Sequence, residues 1–242
     1  MRNIKLTLEY DGTNFCGWQW QPKGRTVQDT LQCSLKELLQ ESPTVIASGR
    51  TDAGVHALGQ VVNFKTENTL DLNSICLGLN SFLPSDITIL QAEEVDEKFH
   101  ARFDAVKRKY RYVISKRPKA VGRYYSWFCK YDLNLDKIKK ASEVLIGEHE
   151  FFAFSRANDE ELHYLCNLES ARWKETEEEI ILDICANRFL HNMVRIIVGT
   201  MVDVGRGKLA PEEMKNIMET RNRDRAGFTA PPQGLFLVKV YY

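Results

Sequence analysis

Alternation opens the chain. In MRNIKLTLEYDG, Ile4, Leu6, Leu8 and Tyr10 share one parity and Lys5, Thr7 and Glu9 the other, which predicts a strand over 4–10 with one buried face. The period then changes. Val27, Leu31, Leu35, Leu38 and Leu39 recur at helical spacing behind Thr26 and Asp29, a capping pair, and predict a helix over 27–40. Shorter runs predict strands over 44–48, 59–65 and 87–95, and a helix over 72–82 with Asp71 before it and Pro84 after it. The order is β-α-β-β-α-β. The remainder repeats it with a strand over 104–115, a helix over 135–146 ending at Gly147, strands over 164–174 and 179–186, a helix over 188–204, a short helix over 211–220 and a strand over 235–242.

Two runs of one order predict an α+β chain of two ferredoxin-like (RRM-like) halves, 1–104 and 105–242, each an antiparallel sheet with helices on one side. No Gly/Ser-rich or Pro-rich linker separates them, so intimate packing is expected. At 242 residues and 43% hydrophobic, the chain can build one large core or two small ones. Eighteen apolar residues never run together, and the N-terminus alternates like a strand, so a cytoplasmic protein with no membrane partner is expected. Cys16, Cys33, Cys76, Cys129, Cys166 and Cys185 are dispersed without a CxxC pair, which predicts reduced thiols, no disulfide and no zinc.

Charge changes the picture locally. Lysine plus arginine (33) balances aspartate plus glutamate (33), yet Arg102, Lys107, Arg108, Lys109, Arg111, Lys116, Arg117, Lys119 and Arg123 face a single acid, Asp104, within one stretch. Acids collect at 93–97, 159–161 and 175–179. The expectation is a polarised molecule with one face attractive to phosphate, against the plainer reading of a solvated charge run. In the strand over 105–115, Val106, Arg108, Tyr110, Tyr112 and Ile114 share one face, and Lys107, Lys109 and Arg111 the other.

The candidate chemistry centres on SGRTDAGVHALGQ, residues 48–60, where Asp52 stands at a strand-to-strand corner with Gly49 and Gly54 permitting a tight bend. An aspartate there is either catalytic or the anchor of an Asx-turn. Arg195 lies off the apolar stripe Leu190, Val194, Ile197, Met201 and Val204, in line with Arg188, His191, Asn192 and Gly199, which reads as a lined site or as a snorkelling surface stripe. Tyr10, Phe15, Trp18 and Trp20 crowd behind the first strand, most of them as core and a minority exposed. There is no HExxH, the five histidines are scattered, and GRGK at 205–208 lacks the rest of a phosphate-binding loop.

Five further segments set Asp52 in context: EYDGTNFCGWQWQP at 9–22, TVQDTL at 26–31, KRKYRY at 107–112, FLHNMVR at 189–195 and FTAPPQGL at 228–235. With GRTDAGVH they resemble, in the same order and over nearly the whole chain, the tRNA pseudouridine synthase A (TruA) family. The resemblance implies the pseudouridine synthase fold, two α/β halves flanking a positively charged cleft, as a homodimer. It also implies isomerisation of uridine to pseudouridine at positions 38 to 40 in the anticodon arm of tRNA, with the base flipped out and no cofactor or metal.

On this resemblance Asp52 matches the catalytic aspartate, Tyr110 the substrate-contacting tyrosine and Arg195 the arginine that pairs with the aspartate. Arg50 is placed against the RNA backbone or at stem opening, His56 and Arg188 at substrate, and Leu235 as an apolar wall beside the base. Attack at C1′, addition to C6 and a glycal route all remain open to the carboxylate. Two alternatives stay beside this reading: an RNA-binding module of the same fold without catalysis, and a nucleosidase, which would ask for a second carboxylate. The chain departs from the family in its neutral charge and in the acidic DEE at 159–161.

Overall fold

A computed structural model describes residues 1–156 and 163–242, so the acidic run at 159–161 lies outside the described residues. The chain forms two compact units, Met1–Val106 with Phe236–Tyr242, and Lys107–Leu235. The first contains β1 (Arg2–Tyr10), α1 (Val27–Leu39), β2 (Ile46–Ala47), β3 (His56–Thr66), α2 (Leu72–Phe82) and β4 (Ile87–Val95). Antiparallel partners flank β1 on both sides, β3 setting Phe64 opposite Ile4 and Val62 opposite Leu6, and β4 setting Glu93 opposite Lys5. The alternation read from the sequence is the alternation of burial, since Ile4, Leu6, Leu8 and Tyr10 are all buried.

Helix α1 buries Val27, Leu31, Leu35 and Leu39, at a typical gain of about 2 kcal/mol per side chain. Thr26 Oγ1 accepts from Asp29 N at 3.3 Å, as the capping signal required, and the helix stops one residue short of expectation because Gln40 turns left-handed at φ 55°. Asp71 caps α2 by accepting from Ser74 N at 3.0 Å. The strand expected at 44–48 shrinks to β2, whereas β3 begins earlier than expected, at His56.

The last strand, β10 (Leu235–Tyr241), corrects the expected division at 105–242. Its Phe236 and Leu237 pair in parallel with His56 and Ala57 of β3, so the C-terminus completes the first unit's sheet. Only long-range pairing decides that, and a strand's own alternation carries no record of its neighbour.

The second unit holds β5 (Lys107–Ser115), β6 (Trp127–Phe128), α3 (Leu135–Glu143), β7 (Gly147–Glu150), β8 (Leu165–Glu175), β9 (Glu179–Ala186), α4 (Met193–Gly205) and α5 (Glu213–Glu219). Its sheet runs β5-β9-β8-β7, antiparallel throughout, with β6 added in parallel to the end of β5. Neither β6 nor β7 is foreseen by the pattern, being too short to display a period. Helix α4 begins at Met193 rather than 188, because Asn192 is left-handed at φ 62° and breaks the helical path before it. Every residue of α4 is buried except Arg195.

Candidate active site

Asp52 opens a β-turn that Val55 N closes on Asp52 O at 3.1 Å, with Gly54 at φ 76° in the position where a type II turn requires a positive φ. The carboxylate is half-buried and Arg50, two residues earlier, is exposed. Between them Thr51 points inward, its Oγ1 2.8 Å from the buried Tyr10 hydroxyl, while its carbonyl accepts from Trp18 N at 3.0 Å. Gly54 N donates to Phe15 O at 3.3 Å. The EYDGTNFCGW loop therefore wraps the Asp52 turn. Its rings divide as expected: Tyr10, Phe15 and Trp18 are buried, and Trp20 is 55% exposed.

His56 is buried at the start of β3. Its Nδ1 accepts from Gly12 N at 3.0 Å and lies 3.1 Å from Asp11 Oδ1, and its ring stacks on Phe236 with centroids 4.8 Å apart. These contacts give it the work of fixing the Asp11–Gly12 corner.

In the second unit Tyr110 and Tyr112 share the buried face of β5. Tyr110 meets Phe189 edge-on at 5.1 Å, and Tyr112 donates its hydroxyl to Pro231 O at 2.7 Å, packing as core. Arg195 sits in the first turn of α4, where its Nε donates to Ala230 O at 2.8 Å and one terminal nitrogen donates to Asn192 Oδ1 at 2.9 Å. Ala230 N in turn donates to Arg195 O at 3.0 Å, and Gly227 N to Thr200 Oγ1 at 2.8 Å. FTAPPQGL is thus stitched to α4 and β5, which orients the guanidinium, and Leu235 beyond it is buried.

The expected polar stripe along this helix is corrected by the same geometry. Arg188, His191 and Asn192 belong to the turn before α4, so only Arg195 and Gly199 are helical. Arg188 reaches the His163 ring, with 3.1 Å between its terminal nitrogen and Nε2. What sequence reasoning missed is the part Asn192 plays: its left-handed backbone and side-chain oxygen together place Arg195. The available signal was the tolerance of Asn for the left-handed region.

The basic stretch is also corrected. Lys107 meets Glu169 at 3.0 Å, Lys109 and Arg111 share Asp183 at 3.6 and 2.9 Å, and Lys116 meets Glu175 at 2.6 Å. Arg117 meets Glu178 at 2.7 Å and Lys119 meets Glu179 at 2.5 Å. The acids at 175–179, expected on a separate repulsive face, answer the cations of β5 and its extension. Burial works to raise Asp183, but hydrogen bonds and positive charge from Arg111 and Lys109 outweigh it and hold the carboxyl below the usual range. The acids at 93–97 are similarly engaged, Glu93 by Lys5 at 2.7 Å and Glu94 by Arg2 at 2.9 Å.

Among the described residues no three His, Cys, Asp or Glu side chains are arranged to hold a metal, all six cysteines are free thiols, and no helix is long and apolar enough to cross a membrane.

A family model described as tRNA pseudouridine synthase matches residues 7–104 and 141–242, and the chain belongs to that family. Over its full length it is 43% identical to tRNA pseudouridine synthase A of Thermoanaerobacter sp. (strain X514), across all of that protein. It is 44% identical to tRNA pseudouridine synthase A of Caldicellulosiruptor bescii, again over all of both chains. Against the protein of that name from Bacillus subtilis (strain 168) it is 43% identical over 99% of this chain and 98% of the relative.

Proposed function

We propose that this tRNA pseudouridine synthase acts on uridines at positions 38 to 40 of the anticodon arm, with Asp52 as its catalytic carboxylate. The observation that carries the reading is the Asp52 turn itself: a half-buried acid on a backbone anchored from both sides, in a chain that shares the family's motifs from end to end. The reaction breaks the bond from C1′ to N1, turns the base and joins C5 to C1′. N1 gains a proton and C5 loses one, so the atoms balance without a cofactor. Asp52 serves at the sugar or at C6 as nucleophile or base.

Tyr110 and Arg195 complete the proposed catalytic set. The Tyr110 ring offers a stacking partner for the extruded uracil, worth typically about 1 to 3 kcal/mol, and its hydroxyl a station for the proton leaving C5. Arg195 is held by Ala230 and Asn192 with its guanidinium oriented, and it supplies positive charge. Arg50 is exposed, as an RNA contact requires. Arg188 and Leu235 belong to the substrate side of the same proposal, as does assembly into a homodimer in the cytoplasm. His56 is proposed on the substrate side with them, through the Asp11–Gly12 corner that its ring contacts.

The test is tritium release from unmodified tRNA carrying 5-tritiated uridine, since C5 gives up its hydrogen only when the new carbon-carbon bond forms. Wild type should release tritium and Asp52→Asn should not, with tRNA affinity changed by no more than a few fold. Binding without release by wild type would favour the non-catalytic module, and equal loss of binding and activity in Asp52→Asn would make the residue structural.

A further inference from the structure

Along residues 48–52 inward anchors alternate with outward side chains. The fully buried Gln60 takes Ser48 Oγ on its Oε1 at 2.7 Å and donates through Nε2 to Gly49 O at 2.9 Å. Arg50 then faces out. Thr51 turns in to the Tyr10 hydroxyl at 2.8 Å, and Asp52 follows at the surface. Gln60 thus holds Ser48 and Gly49 on one side of Arg50, and the Tyr10 phenol holds Thr51 on the other.

The same hydroxyl keeps its proton. Burial pushes Tyr10 from about 10 up to about 12, outweighing the hydrogen bond to Thr51 that acts to lower it. On the other side of the turn, Gly17 at φ 101° brings its backbone so close that an added Cβ would lie 2.8 Å from Thr51 O and 3.3 Å from the Asp52 carbonyl carbon. That approach lets Trp18 N reach Thr51 O. Phe15, which receives Gly54 N on its carbonyl, is itself covered by the Arg25 guanidinium at 4.1 Å, and Arg25 is fixed by a bidentate pair with Asp86 at 2.6 and 2.7 Å. Such a chain of supports is what setting a reacting group in advance demands, since a misplacement of about 1 Å can cost about 100-fold in rate.

We infer that Tyr10, Thr51 and Gln60 are positioning residues for the reaction: a buried hydroxyl and amide network that sets the Asp52 backbone before tRNA arrives. The inference rests on Asp52 being the catalytic carboxylate. Tyr10, Thr51 and Gln60 are all buried, so none offers a surface for a macromolecule, and the network acts on the rate rather than on affinity.

Single-turnover tritium release and tRNA affinity are to be measured for Tyr10→Phe, Thr51→Val, their double variant and Thr51→Ser, with far-UV circular dichroism to confirm folding. Tyr10→Phe and Thr51→Val should each lower the rate by about 10- to 100-fold with Kd within about threefold, a magnitude set by small misplacements. The double variant should be no slower than the slower single, because both break one link. Thr51→Ser, which keeps the hydroxyl, should restore the rate to within about threefold of wild type. A folded Tyr10→Phe or Thr51→Val with wild-type rate, beside an inactive Asp52→Asn, would overturn the inference and leave the catalytic reading standing. Should Tyr10→Phe fail to fold, Thr51→Val and Thr51→Ser decide: equal rates overturn it and a hydroxyl-dependent difference supports it. An active Asp52→Asn would overturn the underlying reading instead.

Discussion

At the Asp52 turn the backbone is gripped and the carboxylate is left half-exposed; along β5 the charged side chains themselves are gripped, by carboxylates on β8 and β9. Each region is rich in polar residues, but the polar groups do opposite things. Around Asp52 the hydrogen bonds of the neighbouring residues run to main-chain atoms and buried partners, which fixes a loop whose acid is half-buried. Along β5 the ion pairs cancel charge, so a run of lysines and arginines contributes less to the field outside than its sequence suggests. The lesson is that charge counted along a strand must be recounted across the sheet.

The comparison breaks most sharply at Gly17. Gly17→Ala forces a Cβ against Thr51 O from a backbone at φ 101°, and should cost about 1 to 3 kcal/mol in thermal or urea unfolding while slowing tritium release about 100-fold. An unaltered rate would mean that the loop does not set the turn.

Alkaline unfolding probes the same place through Tyr10. Its folded pKa is raised from about 10 to about 12, so the protonated hydroxyl contributes stability that is present below pH 10 and lost as pH rises toward 12. The expected loss is on the order of 3 kcal/mol across that window, and Tyr10→Phe should remove it from the pH dependence. A variant that follows the wild-type curve would place the alkaline transition elsewhere.

Asp183 sharpens the other side of the contrast. Its carboxyl is held below the usual range, so its stabilisation is present above the ordinary carboxylate range and is lost as pH falls through its lowered folded value. Asp183→Asn should destabilise by about 1 kcal/mol, discounted because Arg111 and Lys109 remain partly exposed, and should steepen the slope of log Kd for tRNA against log salt by up to about 1. The smallest effect is expected for Lys109→Gln in the otherwise unchanged protein, which should leave that slope within error, whereas Arg50→Ala should reduce it by about 1. A shared drop in slope for both would mean that β5 keeps its charge for RNA after all.

Much of this was legible in the chain. β1, α1, α2 and β9 follow from period and capping residues, because burial on one face writes itself directly into spacing. The motif around Asp52 marked the acid, and the aromatic cluster after β1 marked buried rings. The start of α4 was misread for a local reason: Asn192 and Met193 both fit a helical pattern, and only the backbone shows Asn192 at φ 62°. His56 is placed at substrate because it lies in the motif, and only the folded chain shows its ring reaching Gly12 and Asp11.

By itself the sequence determined the α+β class, the alternating and helical faces, and the acid on which the reaction is proposed to turn, since each depends on residue identity and short-range spacing. Tertiary structure alone decided that β10 joins β3, that Tyr10 reaches across 41 positions to Thr51, and that Asp183 answers Arg111 across 72. Partners so far apart in the chain leave no periodic trace, because hydrogen bonds and ion pairs act over a few ångströms of space whatever the length of chain between them.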